Sequence, residues 1–177
     1  MTLLRAVGPG GHVMSYELRD EFARIAEQNI RRFLGAADTL VLRRQDIYAG
    51  ILRDDAPLDR IILDVPEPWR VAGHAVEALL PGGIFCSYVP TVPQVVQTTE
   101  ALRHTGGFDL IETVEVLLRP WNIDGLSVRP AHRMVAHTGF LTTARRVQET
   151  PKVGPADDQM DPDDPEAADP GDEPEPA

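Results

Sequence analysis

Apolar and polar positions along this chain switch repeatedly between two periods. His12-Val13-Met14-Ser15-Tyr16 predicts a short strand that ends at Glu17. From Leu18 to Leu34 the apolar residues Leu18, Phe22, Ile25, Ala26, Ile30 and Phe33 recur at helical spacing, with charge on the opposite face. Thr39-Leu40-Val41-Leu42 predicts a second strand, leading to Arg43-Arg44-Gln45-Asp46. A third, Leu58 to Leu63, ends at Asp64. A helix is expected from about Val71 to Leu80, stopped by Pro81-Gly82-Gly83. The fourth strand is Ile84 to Val89, followed by a helix from Pro93 to Thr105 that stops at Gly106-Gly107.

Beyond that point the rhythm changes. Phe108 to Leu118 and Arg133 to Arg145 are both long and strand-like, with no helical stretch between them. Two such strands should pair antiparallel. Strand–helix units closed by an antiparallel hairpin predict an α/β sheet with helices on both faces.

Charge divides the chain in two. The 177 residues carry a formal net charge of −11. From Pro151 onward, 10 acidic residues stand against Lys152, the only lysine; residues 1–150 hold 18 acids against 16 arginines. The expected organisation is one domain over 1–149 and a disordered acidic, Pro-rich tail over 150–177, too poor in apolar residues to offset ordering entropy. The tail reads as a flexible solubiliser or a partner-binding segment. The near-neutral body has no basic stripe for nucleic acid. A single cysteine, Cys86, excludes an internal disulfide, fits a reducing cytosol and sits in an apolar strand as an inert thiol. No apolar run approaches the roughly 20 residues that span a bilayer, so no membrane role is expected. The five histidines are scattered without ligand spacing, so no metal site is expected.

The chemistry gathers at strand ends. Glu17, Asp46 and Asp64 each follow a predicted strand, and in a parallel sheet such ends share the edge where ligands sit. Three carboxylates there suit a nucleoside, although each alone also fits an ordinary helix cap. After Asp64, Val65-Pro66-Glu67-Pro68-Trp69 is a turn stiffened by two prolines, with Trp69 as a flat face for a planar heterocycle. Tyr88 and the turn Pro90-Thr91-Val92-Pro93 end the fourth strand at the same edge. Tyr88 either walls a base pocket or is a half-buried strand residue with its hydroxyl in water. Trp121, Arg129, His132 and Arg133 lie in or beside the long connection, as RNA contacts or as an oligomer contact.

Four motifs occur in order: Val13-Met14-Ser15-Tyr16-Glu17, Leu63-Asp64-Val65-Pro66-Glu67-Pro68-Trp69, Ser87-Tyr88-Val89-Pro90-Thr91-Val92-Pro93-Gln94-Val95 and Met134-Val135-Ala136-His137-Thr138-Gly139-Phe140-Leu141. From Thr2 to about Arg146 the chain resembles the bacterial and archaeal tRNA (adenine-N1)-methyltransferases that modify adenosine 58 of the T-loop. The resemblance implies an enzyme with a Rossmann-like class I fold that uses S-adenosyl-L-methionine. Glu17 would bind the cofactor ribose and Asp46 the adenine amino group. Phe22 would lie near the same adenine, or else be a core residue of its stripe. Asp64 would be the catalytic acid, beside both cofactor and target base. Tyr88, Trp69, Trp121, Arg129 and Arg133 would meet the substrate tRNA. The family assembles as tetramers, so a homo-oligomer is expected.

One departure stands out. The family carries a strand and a glycine-rich turn ahead of a helix that resembles Thr2 to Pro9, and this chain starts inside that helix. Gly8-Pro9-Gly10-Gly11 reads as a helix C-cap and turn instead. The expectation is a sheet lacking its first strand, whose flanking strands, ending at Glu17 and Asp64, either close up or leave the piece marginal. A start assigned too late and a truncated remnant both fit this beginning. A non-catalytic subunit pairing with a complete methyltransferase is the competing reading. Another nucleoside-binding Rossmann-like enzyme is a third.

Overall fold

The computed structural model describes residues 1–35 and 38–148; the acidic tail predicted from Pro151 lies outside them. Among the described residues, four α-helices and eight strands follow one another. They are α1 (Thr2–Val7), β1 (Val13–Tyr16), α2 (Asp20–Leu34), β2 (Leu40–Arg43), β3 (Leu58–Leu63), α3 (Ala72–Ala78), β4 (Leu79–Val89), α4 (Val92–His104), β5 (Phe108–Glu115), β6 (Trp121–Asp124), β7 (Ser127–Pro130) and β8 (Phe140–Arg146). Short 3-10 turns at Ile47–Ala49, Arg53–Asp55 and Pro68–Val71 fill the connections around β3.

The main sheet has four strands in the order β3-β4-β8-β5. β3 and β4 run parallel, and β8 is antiparallel to both β4 and β5. The last strand among the described residues is therefore central, inserted between β4 and β5. Phe85, Val71 and Leu102 are fully buried, with Ile61, Leu63, Ala75 and Phe108 packed around them. Phe85 and Phe108 meet edge to face at 5.8 Å. Burial of this kind is the main favourable contribution that offsets chain entropy.

β1 and β2 form a separate two-stranded parallel sheet. No ladder joins β1 to β3 among the described residues, so the two strands ending at Glu17 and Asp64 have not closed up. Side chains and one adaptor segment link the two blocks instead. The Tyr16 hydroxyl donates to Asp55 at 2.6 Å and accepts from the Leu52 backbone N–H at 2.9 Å. Arg43 forks onto the same Asp55 carboxylate. From the same segment, Ile47, Tyr48, Ile51 and Ala56 pack against the main core.

Several element boundaries differ from the sequence expectation. The helix expected to run to Leu80 ends at Ala78, and Pro81-Gly82-Gly83 lies within β4 rather than terminating a helix. The ladder pairs Leu58 with Leu79 and then Arg60 with Ile84, so three residues bulge out between these pairs. Proline is tolerated at such a bulge because no ladder N–H is needed there. The strand expected over 133–145 is confined to Phe140–Arg146, preceded by an isolated bridge between Leu118 and Val135. The strand expected to reach Leu118 ends at Glu115, and β6 and β7 form their own small hairpin in the connection. α2 starts at Asp20, leaving Leu18 outside it.

Candidate active site at the strand ends

β3 delivers Asp64 directly from its last residue. Leu63 is buried and pairs with Ser87 of β4, whereas Asp64 is exposed and has no side-chain partner among the described residues. The following turn is fixed from outside. The Glu67 backbone N–H donates to the Tyr48 hydroxyl at 2.9 Å, and Gln94 Nε2 donates to the Pro66 carbonyl at 2.9 Å. Gln94 also closes a capping box with Thr91 at the start of α4. Pro68, at the start of a 3-10 turn, is buried, and Trp69 beside it is half-buried. Arg70 pairs with Glu67 at 2.8 Å and stacks over the Tyr48 ring at 4.2 Å. The turn after Asp64 is thus braced on both sides, by the β2–β3 connection and by α4.

Glu17 follows β1 directly, its backbone N–H donating to the Arg43 carbonyl of β2. One carboxylate oxygen accepts from the Arg19 backbone N–H at 2.8 Å; the other has no partner among the described residues. Asp46 lies three residues past β2 and caps the 3-10 turn, accepting from the Tyr48 N–H at 2.9 Å with one oxygen only. The cap reading of Asp46 is therefore true locally, yet its second oxygen has no partner among the described residues. Free carboxylate oxygens only accept, which matches ribose hydroxyls and an exocyclic amino group as donors.

Tyr16 and Asp55 carry the brace behind Glu17, and the sequence pattern does not single either out as chemistry. Asp55 is 5% exposed, and the Arg43 guanidinium on it holds its carboxyl below the usual range. Burial, then the bond to Asp55, pushes the Tyr16 phenol up, so it remains a donor. Asp55, the second of two adjacent acids in Arg53-Asp54-Asp55, has no sequence signal distinguishing it from its neighbour.

The remaining candidates are spread out. Phe22 is 42% exposed under the Arg19 guanidinium, which lies 3.8 Å from the ring centroid. It is not a core residue, and neither are Leu18 and Ile25 on the same stripe, at 65% and 45% exposed. Tyr88 is exposed on β4, and its hydroxyl donates to the Thr138 carbonyl rather than to water. Trp121 and Arg129 lie on β6 and β7, and Arg133 lies in the segment before β8; all three are exposed. Among the described residues, no hydrogen bond or ion pair ties them to the three acids. An open depression of about 530 Å³ between α2 and β2 is lined by Ala23, Glu27, Arg31, Leu40, Leu42, Arg43 and Arg44, and none of the three acids borders it. Cys86 is half-buried, and burial pushes its thiol up, away from a reactive thiolate.

The model of the family described as tRNA methyltransferase complex GCD14 subunit matches residues 1–127. The chain belongs to this family. It is 34% identical over 169 residues to tRNA (adenine(57)-N(1)/adenine(58)-N(1))-methyltransferase TrmI of Methanocaldococcus jannaschii, covering 82% of this chain and 59% of that protein. It is 33% identical over 148 residues to tRNA (adenine(58)-N(1))-methyltransferase TrmI of Thermus thermophilus, covering 81% of this chain and 55% of that protein. Among solved structures, a SAM-dependent O-methyltransferase of Thermotoga maritima superposes with a TM-score of 0.76 at 38% identity, over 85% of this chain and 55% of that one. The tRNA (m1A58) methyltransferase TrmI of Aquifex aeolicus follows with 0.64 at 26% identity, over 77% and 54%. The fold is the α/β fold of these methyltransferases. The chain spans little more than half the length of each of these four proteins.

Proposed function

We propose that the protein supplies the catalytic face of an S-adenosyl-L-methionine-dependent tRNA (adenine-58-N1)-methyltransferase. The observation that carries this reading is Asp64: a carboxylate with no side-chain partner among the described residues, at the tip of a strand anchored by buried Ile61 and Leu63, followed by a turn braced at Pro66 and Glu67. Family membership and the activities for which the relatives are named supply the reaction class.

Bound S-adenosylmethionine supplies an electrophilic methyl group. Glu17 would take the ribose hydroxyls and Asp46 the adenine amino group, each through its free oxygen. Phe22 would lie beside the adenine. Adenine N1 of the target is already a nucleophile, so the protein's task is alignment. Asp64, accepting from the exocyclic amino group of the target, would orient the ring and favour the positive charge that develops on it. No strong base is required. Tyr88 and Trp69 would flank the base, and Trp121, Arg129 and Arg133 the surrounding tRNA. The exposed apolar residues of the β6–β7 hairpin, Trp121, Ile123, Leu126 and Val128, suit a homo-oligomer, a tetramer by the family resemblance. A reducing cytoplasm fits the free Cys86 and the tRNA substrate, and no described helix is long and apolar enough to cross a membrane.

In a chain extended at its N-terminus by a strand and glycine-rich turn, Asp64→Ala should lower methyl transfer to unmodified tRNA by about 100-fold or more, as losses of transition-state stabilisation do. Transfer within a few-fold of wild type overturns the assignment. The 177-residue chain itself should bind S-adenosylmethionine weakly, because β1 and β3 are not joined and Glu17 and Asp64 stand on separate sheets. Micromolar or tighter affinity by isothermal titration contradicts this.

A further inference from the structure

His137 lies in the segment that leads into β8, and both of its ring nitrogens face acceptors. Nδ1 lies against a carboxylate oxygen of Glu115, the last residue of β5. Nε2 is 2.6 Å from the Pro90 carbonyl oxygen, one residue past β4. A neutral imidazole has one N–H and one lone pair, so it cannot donate to both. Either the ring carries both protons, or Glu115 carries one and donates to Nδ1. The side chains are 48% and 29% exposed, and a solvated carboxyl gives up its proton about two pH units below an imidazole, so the proton belongs on the ring.

The neighbourhood shows what this pin holds. The Tyr88 hydroxyl donates to the Thr138 carbonyl, one residue along, and the His137 ring lies 5.1 Å from that of Phe140. Gly139 has φ +154°, and a Cβ there would sit 2.5 Å from the Tyr88 ring, so the segment comes as close to β4 as a glycine allows. On the far side of Pro90, Thr91 caps α4 with Gln94, and Gln94 holds the Pro66 carbonyl two residues beyond Asp64. Glu115, His137, Pro90, Thr91, Gln94 and Pro66 thus form a continuous line from β5 to the turn after Asp64.

We propose that His137, as an imidazolium, is a positioning residue for the acceptor side of the site, stapling the approach to β8 onto the turn after β4. This rests on the reading of Asp64 given above. Among the described residues, Glu115 from β5 and the Tyr88 hydroxyl from β4 are the titratable groups on this staple, and β8 presents the Phe140 ring. Glu115 first, and the Pro90 carbonyl second, raise the pKa of His137. The raised value fixes the sign. The staple is complete below the ordinary imidazole value near 6.5 and is lost as pH rises through the higher folded value.

The test needs neither cofactor nor RNA. Imidazole resonances of the 177-residue chain are followed by NMR against pH, together with the backbone amides of Thr91 and Glu67. His137 should titrate above the ordinary value, Glu115→Gln should lower its midpoint, and both amides should move with the wild-type midpoint. His137→Gln, confirmed folded by circular dichroism, should remove the pH response of the two amides. A His137 midpoint at or below the ordinary value overturns the proposal. So do Thr91 and Glu67 amides that ignore its titration. A methyl-transfer assay in which Asp64→Ala stays active would instead sink the reading of Asp64, and is distinguishable because these titrations would be unaffected.

Discussion

The two blocks of this molecule use similar sequence patterns with opposite results. In the main block, the inward residues of β3, β4 and α4 meet an opposing layer, and Phe85, Val71, Val89 and Leu102 lose all their exposed surface. In the β1–β2–α2 block the stripe of α2 is as regular, yet none of its residues is buried, and Ala23, off the stripe, is the only buried residue of the helix. Phe22, Ile25 and Phe33 remain 42%, 45% and 60% exposed. Apolar periodicity specifies which face of a helix seeks burial. Whether burial happens depends on a second surface, and only the main block has one among the described residues. The small block is held by the Tyr16–Asp55–Arg43 cluster and by its adaptor segment.

That contrast can be broken by measurement, beginning where the difference should be greatest. Phe85→Ala should cost about 3–5 kcal/mol of unfolding free energy in urea titrations, the usual loss for a fully enclosed phenylalanine. Phe22→Ala should cost about 1 kcal/mol or less, since much of the ring already meets water. Comparable losses at the two positions would mean that the small block is covered in solution.

Asp55→Ala should fall between them, at about 2 kcal/mol, below the loss for breaking a fully buried pair, because the Arg43 side chain keeps 33% of its exposure. The loss should appear as faster amide exchange in β1 and β2 while β4 and β8 stay protected. The pH dependence sharpens the point. The folded pKa of Asp55 is lowered, so its contribution is present above the ordinary carboxyl value near 3.9 and disappears as pH falls through the depressed one. Wild-type β1 amides should lose protection in that acid window, and Asp55→Asn should show no such step. An effect spread evenly over both blocks would refute the division.

Much of this architecture is legible in the chain. The bounds of β3 follow to the residue, because a short apolar run ending in acid and proline has few other solutions. The order of strands and helices through α4 follows from the change of period, and Asp64 follows from its strand end. The departures share one cause, which is contact between residues far apart in sequence. Pro81-Gly82-Gly83 carries every local mark of a helix stop, yet β3 recruits the residues on both sides into a bulged ladder. The stretch 133–139 has strand-like composition, but His137 and Thr138 are bound by Glu115, Pro90 and Tyr88, and side-chain bonds replace the ladder. Asp55 has the sequence context of any surface acid, and its partners Arg43 and Tyr16 arrive from two other strands.

The sequence by itself settled the kind of protein: period and motif order fix the succession of strands and helices through α4 and the family, since these are local properties of the chain. Tertiary structure alone decided that β8 lies between β4 and β5, that β1 and β3 stay apart, and which acids are spent on bracing and which keep a free oxygen. Those outcomes depend on partners distant in sequence, and burial and hydrogen bonding are satisfied jointly across the fold rather than residue by residue.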